Sequence, residues 1–488
     1  MLLKDLLKNI YPLDCPQEFG EMDIHSICSD SREVKEASLF VALKGVDANG
    51  AWFVGDAVAR GAKVVVHDKS VNLVPGKTGT LLLGVDEPFV FLREILSRFY
   101  GDVFEQIKPI AVTGTNGKTT VTYLLESILD TVGRKCGIIG TIAHRWAGQA
   151  YPAKNTTPSL VDNYRYLAQM VSVGCDYAVM EVSSHALDQG RVEGIPFKTA
   201  VFTNLTVDHL DYHKNQEAYF QAKAILFEKL GAKSTAVINV DDSFGQRLVK
   251  MSKGQVVSYG IEENAYMTAR KILVRPSGTK FMLGTQDGQW IPITTELIGR
   301  HNIYNILAAA TVCFKCGISL GAIKVGVEKL KCVPGRLEKI KTDKDFSVFV
   351  DYAHTEDALE NVLVSLKEIE PSRIILVFGC GGDRDKSKRP KMGAVASRLA
   401  DLVIVTNDNP RSEDPRLIVT DIAAGITQKN FEIVLDRKEA IAKALQSAQA
   451  GDVVLIAGKG HEDYQIFKDE TVHFDDREVV REFLSGDG

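Results

Sequence analysis

Pro109-Ile110-Ala111-Val112-Thr113-Gly114-Thr115-Asn116-Gly117-Lys118-Thr119-Thr120 is the stretch that decides how this chain folds. An apolar run of β type reaches Thr113, a glycine-rich turn follows, and a helical pattern begins beyond it. Strand, turn and helix in that order are the layout of a phosphate-binding loop. Glycines let the backbone approach phosphate oxygens, successive N–H groups and the helix N-terminus face the anion, and the lysine adds a positive charge. A threonine directly after the lysine can ligate the Mg²⁺ that a nucleotide carries. The general pattern G-x-x-x-x-G-K-[ST] would need glycine at position 112, where Val112 stands. The expectation is ATP binding through Gly114, Thr115, Asn116, Gly117, Lys118, Thr119 and Thr120.

Outward from the loop, 488 residues exceed one ordinary core and suggest about three domains. A composition of 45% hydrophobic and 25% charged residues is that of a globular protein, and a net charge of −5 offers no basic field for nucleic acid. The opening Met1-Leu2-Leu3-Lys4-Asp5-Leu6-Leu7-Lys8 is amphipathic and interrupted by charges, unlike a secretory signal. No apolar run approaches the ~20 residues that span a bilayer. A cytoplasmic, monomeric protein without membrane or nucleic-acid partners is expected. The eight cysteines are scattered, so reduced thiols are expected, and Cys313 and Cys316 fall in an apolar helical pattern.

The pattern predicts an α/β chain of three domains. Residues 1–105 form a small α/β domain, in which Leu39–Leu43 and Ala62–Val66 are strands around a helix from Trp52 to Arg60. Residues 106–333 form a central phosphate-loop domain with a mostly parallel, doubly wound sheet. Residues 334–488 form a C-terminal Rossmann-like α/β domain with strands at 347–350, 374–378, 402–406, 432–435 and 453–457. Ligands of such sheets bind beyond the C-terminal strand ends. Two polar groups sit there in the central domain, Glu181-Val182-Ser183-Ser184-His185 and Asp208-His209-Leu210-Asp211-Tyr212-His213. A carboxylate at Glu181 can hold Mg²⁺ directly or through water, and the His209 group suits metal or substrate chemistry. Lys223, on an apolar helix, reads physically as a snorkelling lysine.

The run T-G-T-N-G-K-T-T resembles the signature of the Mur ligase family and its folylpolyglutamate synthase relatives. Asp208-His209 with the helix around Lys223, Gly299–Asn305, Pro334–Glu338 and Asp351-Tyr352-Ala353-His354 extend the resemblance over the chain, toward the UDP-N-acetylmuramoyl-tripeptide synthetase branch. The resemblance implies that Lys223 carries a carbamate and joins Thr119, Glu181 and His209 around Mg²⁺. Lys118, Glu181, His209 and Lys223 are then the catalytic set, and Asn302, Arg336 and Asp351 lie at the nucleoside end of ATP. It also assigns the UDP-sugar dipeptide to Ser31, Asn155, Thr156, Thr157, Ser183, Gln189 and Arg191, although Ser29-Asp30-Ser31-Arg32 alone reads as a turn or cap.

Asp408-Asn409-Pro410-Arg411 resembles the motif of members that add meso-2,6-diaminopimelate. Its guanidinium can clamp the distal carboxylate that lysine lacks. Arg384, Gly458 and Glu462 would complete that pocket. The implied reaction is ATP-dependent amide formation at the D-glutamate side chain of UDP-N-acetylmuramoyl-L-alanyl-D-glutamate, through an acyl phosphate. A lysine-adding ligase and, more remotely, a folylpolyglutamate synthase-like ligase are the alternatives. Arg411 disfavours both, and the N-terminal domain also speaks against the second.

Overall fold

The computed structural model describes residues 1–10, 17–45, 48–73 and 79–485; Cys15 and the Asp211 side chain lie outside the described set. The chain divides into two compact units. The first gathers Met1–Pro109, Thr157–Ala178 and His185–Pro196; the second gathers Ile110–Thr156, Val179–Ser184 and Phe197–Gly488.

The first unit holds four strands in sequence order, Ser26–Cys28, Ser38–Val41, Ala62–Asp68 and Leu81–Val85, all parallel. The expected crossover is present, with a 3-10 turn at Gly50–Phe53 and a helix at Val54–Ala59 between two of them. Phe40, Val65 and Ala57 pack in its core.

In the second unit, Thr199–Phe202 pairs in parallel with Lys108–Thr113 on one side and with Thr235–Asn239 on the other, and Gln255–Tyr259 continues the parallel block. The sheet runs to eleven strands, because antiparallel strands extend both flanks. Ala143–Trp146 and Gln149–Pro152 lie on one side; on the other, Met267–Arg275 joins Gln255–Tyr259 in parallel, and Gly278–Thr285 and Trp290–Thr295 follow antiparallel. The reading of a mostly parallel sheet holds for the block that carries the phosphate loop. The flanks follow from turn chemistry, as at Asp287-Gly288, where Gly288 takes φ +87° between two antiparallel strands.

The C-terminal residues of this unit build a six-stranded sheet. Glu338–Ile340 lies antiparallel on Ser347–Asp351, followed in space by Val453–Ala457, Ile374–Phe378, Leu402–Val405 and Phe431–Ile433, all parallel. Side chains alternate between faces along each strand. Phe349, Leu376, Phe378, Val403 and Leu455 face the helices Glu356–Lys367, Lys388–Leu399 and Pro415–Ala423. Val348, Ile375, Val377, Ile404 and Ile456 face Arg437–Ser447 and Asp476–Ser485. Both faces are covered, so these strands read as unbroken apolar runs. Among the described residues no helix is long and apolar enough to cross a membrane.

Candidate active site

The buried strand Lys108–Thr113 ends at Gly114, whose φ of +146° and close surroundings admit no side chain: a Cβ there would lie 1.9 Å from Thr203 Oγ1. Gly117, at φ +89°, caps the helix Lys118–Thr131, and a Cβ would lie 2.3 Å from Asn305 Oδ1. Between the glycines, the loop is templated by the segment that follows Thr199–Phe202. Thr115 N donates to Asn204 O (2.8 Å), Asn116 N to Asn204 Oδ1 (3.0 Å), and Thr203 Oγ1 to Asn116 O (2.6 Å). Lys118 Nζ donates to the carbonyls of Gly114 (3.0 Å) and Thr115 (2.8 Å). Burial draws its pKa down, against the pull of Glu181 and Asp208.

Glu181 ends the strand Tyr177–Glu181 and is buried. Its Oε2 accepts from Thr119 Oγ1 (3.0 Å) and Thr141 Oγ1 (2.9 Å), and its Oε1 from Thr141 N (3.0 Å). Arg336 Nη2 donates to Thr119 Oγ1 (3.3 Å). The carboxylate therefore meets the phosphate cradle through the hydroxyl expected to ligate Mg²⁺. Among the described residues no three His, Cys, Asp or Glu side chains gather to hold a metal. One carboxylate and one hydroxyl beside an anion cradle fit the sparse set of protein donors that Mg²⁺ uses when phosphates and water supply the rest.

Lys223, on the helix Gln216–Glu228, is buried beneath the loop and donates to Gly114 O (2.9 Å). It does not snorkel. Its pKa falls well below the ordinary lysine value, through burial first and then the charge of Lys118, with Asp208 opposing. Its Nζ sits 4.4 Å from the Tyr219 ring centroid. His209 (6.0 Å) and His213 (5.2 Å) pack on the same ring, and Tyr219 OH pairs with Thr115 Oγ1 (3.2 Å). Tyr219 thus joins the two histidines, the lysine and the loop. Its one-turn spacing from Lys223 is a sequence signal that could have pointed to it.

Asn302 donates from Nδ2 to Ile298 O (2.8 Å), and its Oδ1 accepts from Asn305 Nδ2 (3.1 Å). Asp351 accepts from the amides of Leu337 (2.6 Å) and Ala353 (2.7 Å), so it shapes the Arg336 turn; the Arg336 guanidinium lies over Tyr352 (4.8 Å). Asp357, not singled out from the sequence, accepts from Asn116 Nδ2 (2.8 Å) and Thr206 Oγ1 (2.7 Å). It ties the phosphate loop to the helix Glu356–Lys367 of the six-stranded sheet.

Beyond the strand ends of that sheet, the predicted pocket residues come together. Arg411, at φ +52°, donates from Nη1 to the carbonyls of Gly382 (2.9 Å) and Asn409 (3.4 Å). A Cβ on Gly381 would lie 2.8 Å from Arg411 Nη1 and 3.8 Å from Arg384 Cγ. Arg384 is exposed and donates to Asp383 O (3.0 Å). Asn409 Nδ2 donates to Glu462 Oε2 (3.0 Å). Asp408 Oδ2 would lie 2.8 Å from a Cβ on Gly458. The Pro410 carbonyl lies where a side chain on Gly382 would stand, 1.9 Å from its Cβ position. Lys459, fully buried and missed in the sequence, donates to Asn409 Oδ1 (3.1 Å). Burial and the neighbouring Asp408 raise the Glu462 pKa, against Lys459.

Three family profiles match in succession: "Mur ligase family, catalytic domain" over residues 23–100, "Mur ligase middle domain" over 112–313, and "Mur ligase, glutamate ligase domain" over 335–460. A protein of Caldanaerobacter subterraneus subsp. tengcongensis, named UDP-N-acetylmuramoyl-L-alanyl-D-glutamate--2,6-diaminopimelate ligase, is 44% identical over 466 residues, 95% of each chain. A Geobacter metallireducens protein of the same name is 44% identical over 98% of each chain. A solved structure of a protein so named, 33% identical, superposes with a TM-score of 0.70 over 100% of this chain and 99% of its own. The chain belongs to the Mur ligase family. Mur ligases are ATP-dependent amide-bond-forming enzymes.

The remaining residues that the Mur ligase resemblance had assigned fall in both units. In the first, Arg191 donates to Gln189 Oε1 from Nε (3.0 Å) and Nη2 (2.6 Å), and to Thr157 O from Nη1 (3.1 Å), so these three stand together. Asn163 braces them through Arg191 O (2.8 Å). Ser31 is buried at the start of a 3-10 turn capped by Asp30, which realises the turn reading of that tetrapeptide. In the second unit, Thr156 Oγ1 pairs with Thr141 Oγ1 (3.1 Å), Asn155 is exposed, and Ser183 directly precedes the helix Ser184–Asp188.

Proposed function

We propose that this chain adds meso-2,6-diaminopimelate to the side-chain carboxylate of D-glutamate in UDP-N-acetylmuramoyl-L-alanyl-D-glutamate, a step in peptidoglycan precursor synthesis. One observation carries the choice of amino acid: Arg411, with Arg384 beside it, is held at the strand ends in the compact unit that also holds the phosphate loop. A fixed guanidinium pocket suits the distal carboxylate of diaminopimelate and would stay unpaired beside lysine, which is costly.

Lys118 and the loop amides bind the phosphates of ATP. The γ-phosphoryl group passes to the glutamate carboxylate, its bond to ADP breaking as the acyl phosphate forms. The diaminopimelate amine attacks the acyl carbon, and the tetrahedral adduct expels phosphate to leave the amide. Thr119, Glu181, His209 and carbamylated Lys223 would hold Mg²⁺, which neutralises phosphate charge when bound. Support for the carbamate is the low pKa of Lys223, since only a neutral amine adds CO₂, giving N–COO⁻ and releasing a proton. Residues 1–105 would bind the UDP end, 106–333 ATP, and 334–488 the amino acid, in a cytoplasmic monomer. Ser31, Asn155, Thr156, Thr157, Ser183, Gln189 and Arg191 would hold the sugar and peptide.

The deciding assay is phosphate release with ATP, Mg²⁺ and the UDP-muramoyl dipeptide, comparing diaminopimelate, lysine and no amino acid. Release should require diaminopimelate. Equal or faster release with lysine would refute the proposal.

A further inference from the structure

Arg437 and Asp476 form an ion pair with both side chains 0% exposed. Arg437 opens the helix Arg437–Ser447 and Asp476 opens Asp476–Ser485. Nε and Nη2 of Arg437 grip the two oxygens of Asp476 at 2.7 and 2.8 Å. The fork has further N–H groups, and these reach main-chain carbonyls: Nη1 donates to Asn407 O (3.1 Å) and Nη2 to Ala457 O (3.0 Å). Asn407 and Ala457 immediately precede Asp408 and Gly458 of the pocket. Their strands, Leu402–Val405 and Val453–Ala457, are not neighbours, because Ile374–Phe378 runs between them and continues toward Arg384. One guanidinium therefore ties two strand ends across a third.

Stability is a poor reason for this arrangement. Burying both charges costs several kcal/mol per ion, and well-packed apolar replacements of such pairs are often neutral or stabilising. A cation in the first turn of a helix is also opposed by the macrodipole. Burial works against the charge, while Asp476, then Asp408 and Glu462, hold the guanidinium pKa above its ordinary value. What the pair supplies is a rigid planar fork that fixes two carbonyls.

We propose that Arg437, oriented by Asp476, is a positioning residue for the amino-acid pocket, setting the spacing between the Asp408 and Gly458 rims. This rests on the function proposed above. Two variants test it. Arg437→Lys keeps a charge opposite Asp476 but cannot reproduce the fork, and Arg437→Met/Asp476→Leu replaces the pair by apolar bulk. The readouts are thermal melting, separate KM values for diaminopimelate and ATP, and the ratio of kcat/KM for diaminopimelate over lysine. In folded variants the diaminopimelate KM should rise about tenfold or more, the size expected for small displacements of positioned groups. The ratio should fall, and the ATP KM should stay within about twofold. An unchanged diaminopimelate KM would overturn the proposal. So would parallel losses toward both substrates that track melting temperature, or failure of both variants to fold, either of which would mark the pair as purely structural. Wild-type enzyme that releases no phosphate in response to diaminopimelate would overturn the function itself, a separate outcome.

Discussion

Replacing Arg411 by Ala isolates what its guanidinium contributes. Position 411 has φ +52°, where every residue with a Cβ bears similar strain, so Arg→Ala leaves the backbone energy nearly unchanged. The side chain is only partly exposed and is pinned by the carbonyls of Gly382 and Asn409, so little conformational freedom is lost when it meets a carboxylate. A charge-assisted hydrogen bond is worth about 1.5–3 kcal/mol. Exposed Arg384 retains part of the attraction, so the net loss should fall in the lower part of that range, about 1.5–2 kcal/mol, or about 12- to 27-fold at 1.4 kcal/mol per tenfold.

That loss should fall on one parameter. Phosphate release titrated with diaminopimelate should show KM raised by that factor, with the ATP KM unchanged. Lysine, having no distal carboxylate, should be used no worse than before, so discrimination between the two should shrink by nearly the whole factor. If Arg411→Ala weakened lysine and diaminopimelate equally, or left both untouched, the guanidinium would not be reading the distal carboxylate.

Other perturbations have equally definite outcomes. Gly117→Ala forces a Cβ to φ +89° and to 2.3 Å from Asn305 Oδ1, at a backbone cost of about 1–3 kcal/mol; the ATP KM should rise while that for diaminopimelate holds. Lys118→Ala should abolish turnover, and near-normal phosphate release would refute the loop assignment. Lys223→Ala should eliminate both turnover and the carbamate signal that ¹³C-bicarbonate gives by NMR in the parent enzyme; a parent lacking that signal refutes the modification. His301 has its pKa pushed down by burial to about 4, from an unperturbed 6.5. Between those values the unfolded chain binds the extra proton, so stability from this group falls as pH drops from 6.5 toward 4. Urea unfolding at pH 7 and pH 5 should show a smaller difference for His301→Gln, and identical slopes would contradict it.

The sheets were legible where burial writes a simple pattern. Ile374–Phe378 and Val453–Ala457 are covered on both faces, and such strands are short apolar runs in any sequence. The flank from Met267 to Thr295 was not read, although Pro276-Ser277-Gly278 and Asp287-Gly288 both mark turns, because its partly exposed strands mix polar and apolar residues. The grouping of residues 157–178 and 185–196 with the first unit is written in no local pattern, since it depends on which distant surfaces they meet.

The same division runs through the site. Gly114, Gly117 and Lys118 announce themselves because an anion cradle needs their types at close spacing. The residues that hold the cradle do not: Thr203, Asn204 and Asp357 act through one hydroxyl, one amide and one carboxylate, groups that also serve any turn or helix start. Lys223 is the instructive case. Helical periodicity made it a solvated lysine, whereas its amine is buried beneath Gly114 O beside a second ammonium, at a position where protonation is penalised twice. An element's period identifies its buried face but not what lies across from that face. A charge buried there must be neutralised, paired or chemically altered, so the polar residues that periodicity places on a buried face are the ones whose role only the fold can assign.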